Sequence, residues 1–89
     1  MEFEFDPAKS EANKEKHGID FLAAQELWYD LHAVDVDAGY TAEPRRIRIG
    51  RIFGLLWAGI YVLREKRVRI ISVRRARIRE RRLYEDNQR

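Results

Sequence analysis

The chain has no cysteine, which removes disulfides and thiolate metal sites from the means available to hold it together. It has only two histidines, at positions 17 and 32, without the spacing of a metal-binding pair, so neither a metal nor a cofactor is expected. Long apolar runs are also missing. The longest, Leu55 to Leu63, is too short to cross a bilayer, and no membrane role is expected. The start, Met1-Glu2-Phe3-Glu4-Phe5, lacks the basic residues and apolar stretch of a secretory signal, which makes the cytoplasm the expected location. With no repeat, linker or low-complexity tract, the 89 residues read as one domain, 1–89. A chain of this size buries roughly 60–65% of the surface it exposes unfolded, so a thin core is expected.

Arginine is absent from the first half, and lysine nearly so from the second. Residues 1–44 carry three lysines against eleven acids, net −8, whereas residues 45–89 carry fourteen arginines and one lysine against four acids, net +11. A split of this size points to an anionic partner for the second half. Arginine favours a phosphate-bearing one, since its planar fork donates to two oxygens and stacks on bases. The plainer reading is a solvated surface partly neutralised across the fold by the acidic half, and both stay open at this level.

The alternation of Glu2-Phe3-Glu4-Phe5 predicts a short strand. Asp6-Pro7 is a helix start, and Ala8 to Lys16 continues as a polar helix closed by His17-Gly18. Asp20 caps a second helix whose face carries Phe21, Ala24 and Leu27/Trp28. Ala33 to Asp37 alternates as a strand, followed by a turn-rich loop from Ala38 to Pro44. Three strands are predicted next: one alternating Ile47 and Ile49 with Arg46 and Arg48, an apolar central one at Leu55 to Leu63, and one from Arg67 to Ser72. Phe53-Gly54 and Arg64-Glu65-Lys66 are the hairpin turns. Arg75 to Asp86 fits a final helix, completing an α+β layout.

Several short signatures fall in order along this frame. Phe3-x-Phe5-Asp6-x-x-Lys9, Asn13-x-x-Lys16-His17-Gly18 and Phe21-x-x-Ala24 open the chain; Ile70-Ile71-Ser72-Val73-Arg74-Arg75-Ala76 and Glu80-Arg81-Arg82-x-Tyr84-Glu85 close it. Together they resemble the BrnT family of toxins from bacterial type II toxin–antitoxin pairs, over nearly the whole length. The resemblance implies a RelE-like α+β fold with an antiparallel sheet of about four strands, two N-terminal helices and a C-terminal helix. It also implies a ribonuclease that inhibits translation, with RNA as substrate and a BrnA-like antitoxin as partner in a hetero-oligomer. Direct DNA binding is not expected without that antitoxin. Phe5 departs from the Trp common in the family, and Val73 from its Ala.

Metal-free RNA cleavage needs a base for the 2′-hydroxyl, cations for the phosphorane and an acid for the leaving oxygen. Arg74 is the candidate phosphate stabiliser; in an extended strand Arg75 points to the opposite face. His17 is a natural proton shuttle, or a helix-end cap. Glu80, flanked by arginines, is a weak base but a good orienting partner. Tyr84 is a proton donor or stacking residue, or a half-buried helix tyrosine. Lys9, Lys16, Arg48, Arg69, Arg75 and Arg79 are the candidate RNA contacts, against the alternative of solvated or ion-paired surface. His32 has no supporting context in the sequence. A non-catalytic RNA-binding module and a protein-interaction domain remain rival readings.

Overall fold

The computed structural model describes residues 1–40 and 43–88. The order is β1 (Glu2–Glu4), α1 (Pro7–His17), α2 (Phe21–Ala24), a 3₁₀ segment (Gln25–Tyr29), β2 (Val34–Tyr40), β3 (Pro44–Ile52), β4 (Leu55–Arg64), β5 (Arg67–Arg75) and α3 (Ile78–Asp86). The strands form one sheet in the order β1-β5-β4-β3-β2. This corrects the expectation of an antiparallel sheet of about four strands: there are five, and β1 lies parallel to β5, Phe3 opposite Val68. Alternation identifies Glu2–Glu4 as extended, but its partner is the last strand of the chain, and local pattern carries neither that pairing nor its direction. β2, β3, β4 and β5 pair antiparallel in turn. The predicted loop from Ala38 is partly strand, since β2 runs on to Tyr40; its residues 41–42 lie outside the described ones. Among the described residues no helix is long and apolar enough to cross a membrane.

α1 is held to the sheet by polar anchors more than by an apolar stripe. Asp6 Oδ1 accepts the Ala8 N–H at 2.8 Å, Pro7 opens the helix, and Gly18 closes it at φ 82°. Buried Asn13 donates to the Ile19 carbonyl (2.8 Å) and the Val73 carbonyl (2.9 Å), while its own oxygen accepts the Val73 N–H. The Ser10 hydroxyl accepts the Phe21 N–H at 2.9 Å. The Asn13 of the opening signature therefore has a structural duty: it joins helix, loop and last strand.

The second helix departs from expectation, because only Phe21–Ala24 is α-helical and the chain then tightens into the 3₁₀ segment. That segment seats fully buried Leu27 on two strand glycines. A Cβ at Gly59 would lie 2.8 Å from a Leu27 methyl, and one at Gly50 3.1 Å from the other. Phe21, Leu27, Trp57, Tyr61, Val68, Ile70 and Val73 form the core on this face of the sheet. On the opposite face α3 lays Tyr84 against Ile49 and Leu56. This helix begins at Ile78 and not at Arg75, because β5 still pairs Arg75 with Trp57 and the Ala76 N–H bonds the Leu56 carbonyl.

Candidate functional site

The strand arginines are largely matched with acids. Arg46 and Arg48 of β3 meet Asp37 and Asp35 of β2 at 3.9 and 2.8 Å. Arg67 and Arg69 of β5 meet Glu2 and Glu4 of β1, and Arg64 meets Glu43 at 3.6 Å. The acidic strands are thus the two sheet edges, each beside a basic strand. Among the described residues, seven arginines take part in no ion pair: Arg45, Arg51, Arg75, Arg77, Arg79, Arg81 and Arg82. Five of these lie in the eight residues from Arg75 to Arg82, where β5 hands over to α3.

At that corner Arg74 and Arg75 diverge, as strand alternation requires. Arg74 makes a two-pronged contact with Glu80, Nη1 to Oε1 at 2.7 Å and Nη2 to Oε2 at 2.9 Å, both side chains mostly buried. Glu80 also accepts the Arg77 N–H at 2.8 Å, so one carboxylate caps α3 and fixes its entry from β5. Burial pushes the Glu80 carboxyl up, but the hydrogen bonds from Arg74 and the Arg77 backbone outweigh it and leave it below the usual range. Arg75 instead lies over the Trp57 ring, 5.4 Å from its centre.

A second cluster centres on Asp30, just after the 3₁₀ segment. Its Oδ2 accepts the Tyr84 hydroxyl at 2.7 Å and the Arg51 N–H at 2.8 Å, and its Oδ1 accepts the His32 N–H at 2.9 Å. The Arg51 guanidinium lies 5.6 Å from the centre of the Tyr84 ring. Burial pushes the Asp30 carboxyl up, and the two backbone donors and Tyr84 bring it below its ordinary value. Tyr84 moves the other way, since burial and its bond to Asp30 both hold the hydroxyl protonated. Glu26, Tyr29, His32, Arg51 and Tyr84 border a cavity of about 380 Å³ here. A neighbouring groove of about 500 Å³ runs between Arg51, Ile78, Arg81 and Arg82.

Of the residues singled out from sequence, Arg74 and Glu80 meet directly, Tyr84 lies on the same helix as Glu80, and Arg75 and Arg79 flank the corner outside any ion pair, Arg75 donating its Nε to the Leu56 carbonyl at 3.4 Å. No hydrogen bond or ion pair joins His17 to Arg74, Glu80 or Tyr84; it sits half-buried at the end of α1, which packs on the face opposite α3. Lys9 and Lys16 are exposed on α1. Arg69 faces Glu4 at 3.8 Å. Arg48 is engaged inside the fold: it donates to Asp35 and the Leu27 carbonyl and lies over Trp28, while Tyr61 closes the network on Asp35 at 2.6 Å. Sequence reasoning missed Asp30, Arg51 and His32. The Asp30-x-His32 spacing beside the helix end was the available signal, but only the fold brings Arg51 and Tyr84 to it. Among the described residues no group of three or more His, Asp or Glu side chains is arranged to hold a metal ion.

An end of the sheet dense in unpaired guanidinium groups, with a histidine, carboxylates and tyrosines around an open cavity, is suited to a polyanionic substrate. No curated protein matches the chain. A family model does: residues 5–80 match the ribonuclease toxin BrnT of type II toxin–antitoxin systems, and the chain belongs to that family of toxins, whose partner is an antitoxin protein.

Proposed function

We propose that this toxin is a RelE-like, metal-independent endoribonuclease that cuts RNA in the cytoplasm and is silenced by a BrnA-like antitoxin. The observation that carries this reading is the gathering of Arg51, Arg75, Arg77, Arg79, Arg81 and Arg82, all outside any ion pair, around the β5–α3 corner. In cleavage by the 2′-hydroxyl route, that oxygen attacks the adjacent phosphorus as its proton leaves. The P–O5′ bond breaks and the 5′ oxygen takes a proton. Negative charge builds on the non-bridging oxygens, and fixed guanidinium groups stabilise it where it develops.

Arg74 serves as a positioning residue in this scheme, because Glu80 holds both of its terminal nitrogens and also caps α3, so the pair sets how the helix leaves β5. Proton transfer falls to His32, the histidine that shares a cavity with Arg51 and Glu26. An antitoxin with an acidic segment would neutralise the toxin by covering the same cationic end. The test is cleavage of single-stranded RNA, and of mRNA on ribosomes, by purified toxin in excess EDTA. Cleavage is expected to persist, and His32→Ala is expected to lower its rate about 10²–10⁴-fold with the fold intact. Binding without cutting under both conditions, or full activity of the histidine variant, overturns the corresponding part of the reading.

A further inference from the structure

The β3–β4 turn places an aromatic residue where the backbone favours none. Phe53 has φ 48° and Gly54 φ 81°, the left-handed pair of a type I′ turn, normally filled by Asn-Gly, Asp-Gly or Gly-Gly. A bulky side chain in that region is strained. Nor does the ring gain by burial, since Phe53 is 93% exposed. The fold therefore obtains neither good backbone geometry nor apolar packing from this residue, and its use lies in what it meets from outside.

What lies around Phe53 narrows the choice. On one side it borders a cavity of about 350 Å³ walled by Ile19, Ala23, Ile52, Leu55 and Trp57. Lys14 and Asp20 are the charged residues of its lining, and Asp20 commits only Oδ1 to a hydrogen bond, with the Ala23 N–H. On the other side Phe53 shares a cavity with Arg51. Trp57 on the cavity wall carries the Arg75 guanidinium. An apolar slot with a stacking ring at its mouth thus lies between two guanidinium groups that have no acid partner. A ligand that alternates flat apolar faces with anionic links matches both features, and single-stranded RNA is such a ligand.

We propose that this is a nucleobase subsite: an unpaired base of the RNA stacks on Phe53 and enters the slot, with its flanking phosphates met by Arg51 and Arg75. Lys14 and Asp20 donate to and accept from the base edge. The subsite rests on the reading of the toxin as an RNA-cutting enzyme and adds to it a place where the chain of the substrate is registered.

The test compares wild type, Phe53→Asn and Phe53→Trp by anisotropy with a labelled 2′-O-methyl RNA decamer, which lacks the attacking hydroxyl, alongside thermal melting and cleavage of ordinary RNA. Asparagine suits the left-handed turn, so Phe53→Asn is expected to raise the melting midpoint by about 2–6 °C. It is also expected to weaken RNA binding roughly 5- to 150-fold, the worth of one stacked base. The salt slope stays unchanged, because no phosphate contact is removed. Phe53→Trp restores affinity. Equal binding by wild type and Phe53→Asn, with cleavage intact, overturns the subsite alone. Loss of stability together with affinity overturns it too, by making Phe53 structural, and so does an effect confined to antitoxin binding, which assigns the surface to a protein. A wild type that neither binds nor cuts RNA removes both the subsite and the ribonuclease reading beneath it.

Discussion

Arginines on the strands and arginines at the β5–α3 corner have the same charge and opposite surroundings. Six on β3, β4 and β5 lie within 4.0 Å of a carboxylate, whereas none of the five between Arg75 and Arg82 does. The difference comes from topology. The acidic first half supplies β1 and β2, and both end up as sheet edges beside basic strands, so charges separated in sequence are interleaved in space. No acidic strand reaches the corner, and α3 leaves it with guanidinium groups facing water. Net charge by segment thus overstated the cationic surface along the sheet and located it well at the helix.

The largest effect is expected where the two classes touch, at Arg74. Arg74→Ala leaves Glu80 mostly buried with only a backbone partner, at a cost of about 2–4 kcal/mol measured by urea unfolding. Replacing both residues by apolar ones of similar size should cost much less, since neither is then left unpaired. The pair also has a pH signature. Glu80 titrates lower folded than unfolded, so its contribution is fully present above the ordinary carboxylate range and is lost as pH falls through the folded value. Wild type should lose stability on acidification more steeply than the double variant does. An equal slope in both would remove Glu80 from the account.

The comparison is sharpened next by salt. Arg81→Gln with Arg82→Gln should change stability by less than about 0.5 kcal/mol, both being exposed on α3. If both meet phosphates, the slope of log affinity against log salt falls by about 1.4 and RNA binding at 0.1 M salt weakens more than tenfold. An unchanged slope would reduce the corner to solvated surface.

Tyr84→Phe follows in size. It removes the hydroxyl bonded to Asp30 and should cost about 1–2 kcal/mol, while Asp30 keeps its two backbone donors. Because the hydroxyl is buried and held protonated by that carboxylate, cleavage should fall less than tenfold. A loss of a hundredfold or more in a folded variant would make Tyr84 a proton donor after all.

How much of this was legible in the sequence varies with the range of the interaction. Local signals fixed α1 to within a residue of each end, because Asp6-Pro7 and Gly18 act on their own backbone. Both hairpin turns fell where predicted, at Phe53-Gly54 and Glu65-Lys66, all at positive φ. The parallel place of β1 was not legible, since it depends on a partner 65 residues away. The site divides the same way. Arg74 with Glu80 spans six residues and was within reach of pattern, whereas the second cluster joins three distant segments, the Asp30 carboxylate accepting the Arg51 backbone N–H and the Tyr84 hydroxyl. His32 appeared to lack context because its context is tertiary.

The smallest effect tests the paired class itself. Arg67 is half-exposed, 3.4 Å from Glu2 and 3.9 Å from Glu4, and such surface pairs contribute about 0–1 kcal/mol. A double-mutant cycle on Arg67→Gln and Glu2→Gln should give a coupling below about 0.5 kcal/mol that vanishes at 1 M salt, where screening acts over about 3 Å. RNA affinity should barely respond. Removing this guanidinium takes away one cation whose field two nearby carboxylates already offset, while removing Arg81 takes away a cation with no acid partner. If Arg67→Gln lowers the salt slope as much as an α3 substitution does, pairing with an edge acid does not withdraw an arginine from RNA. The sheet would then rejoin the binding surface.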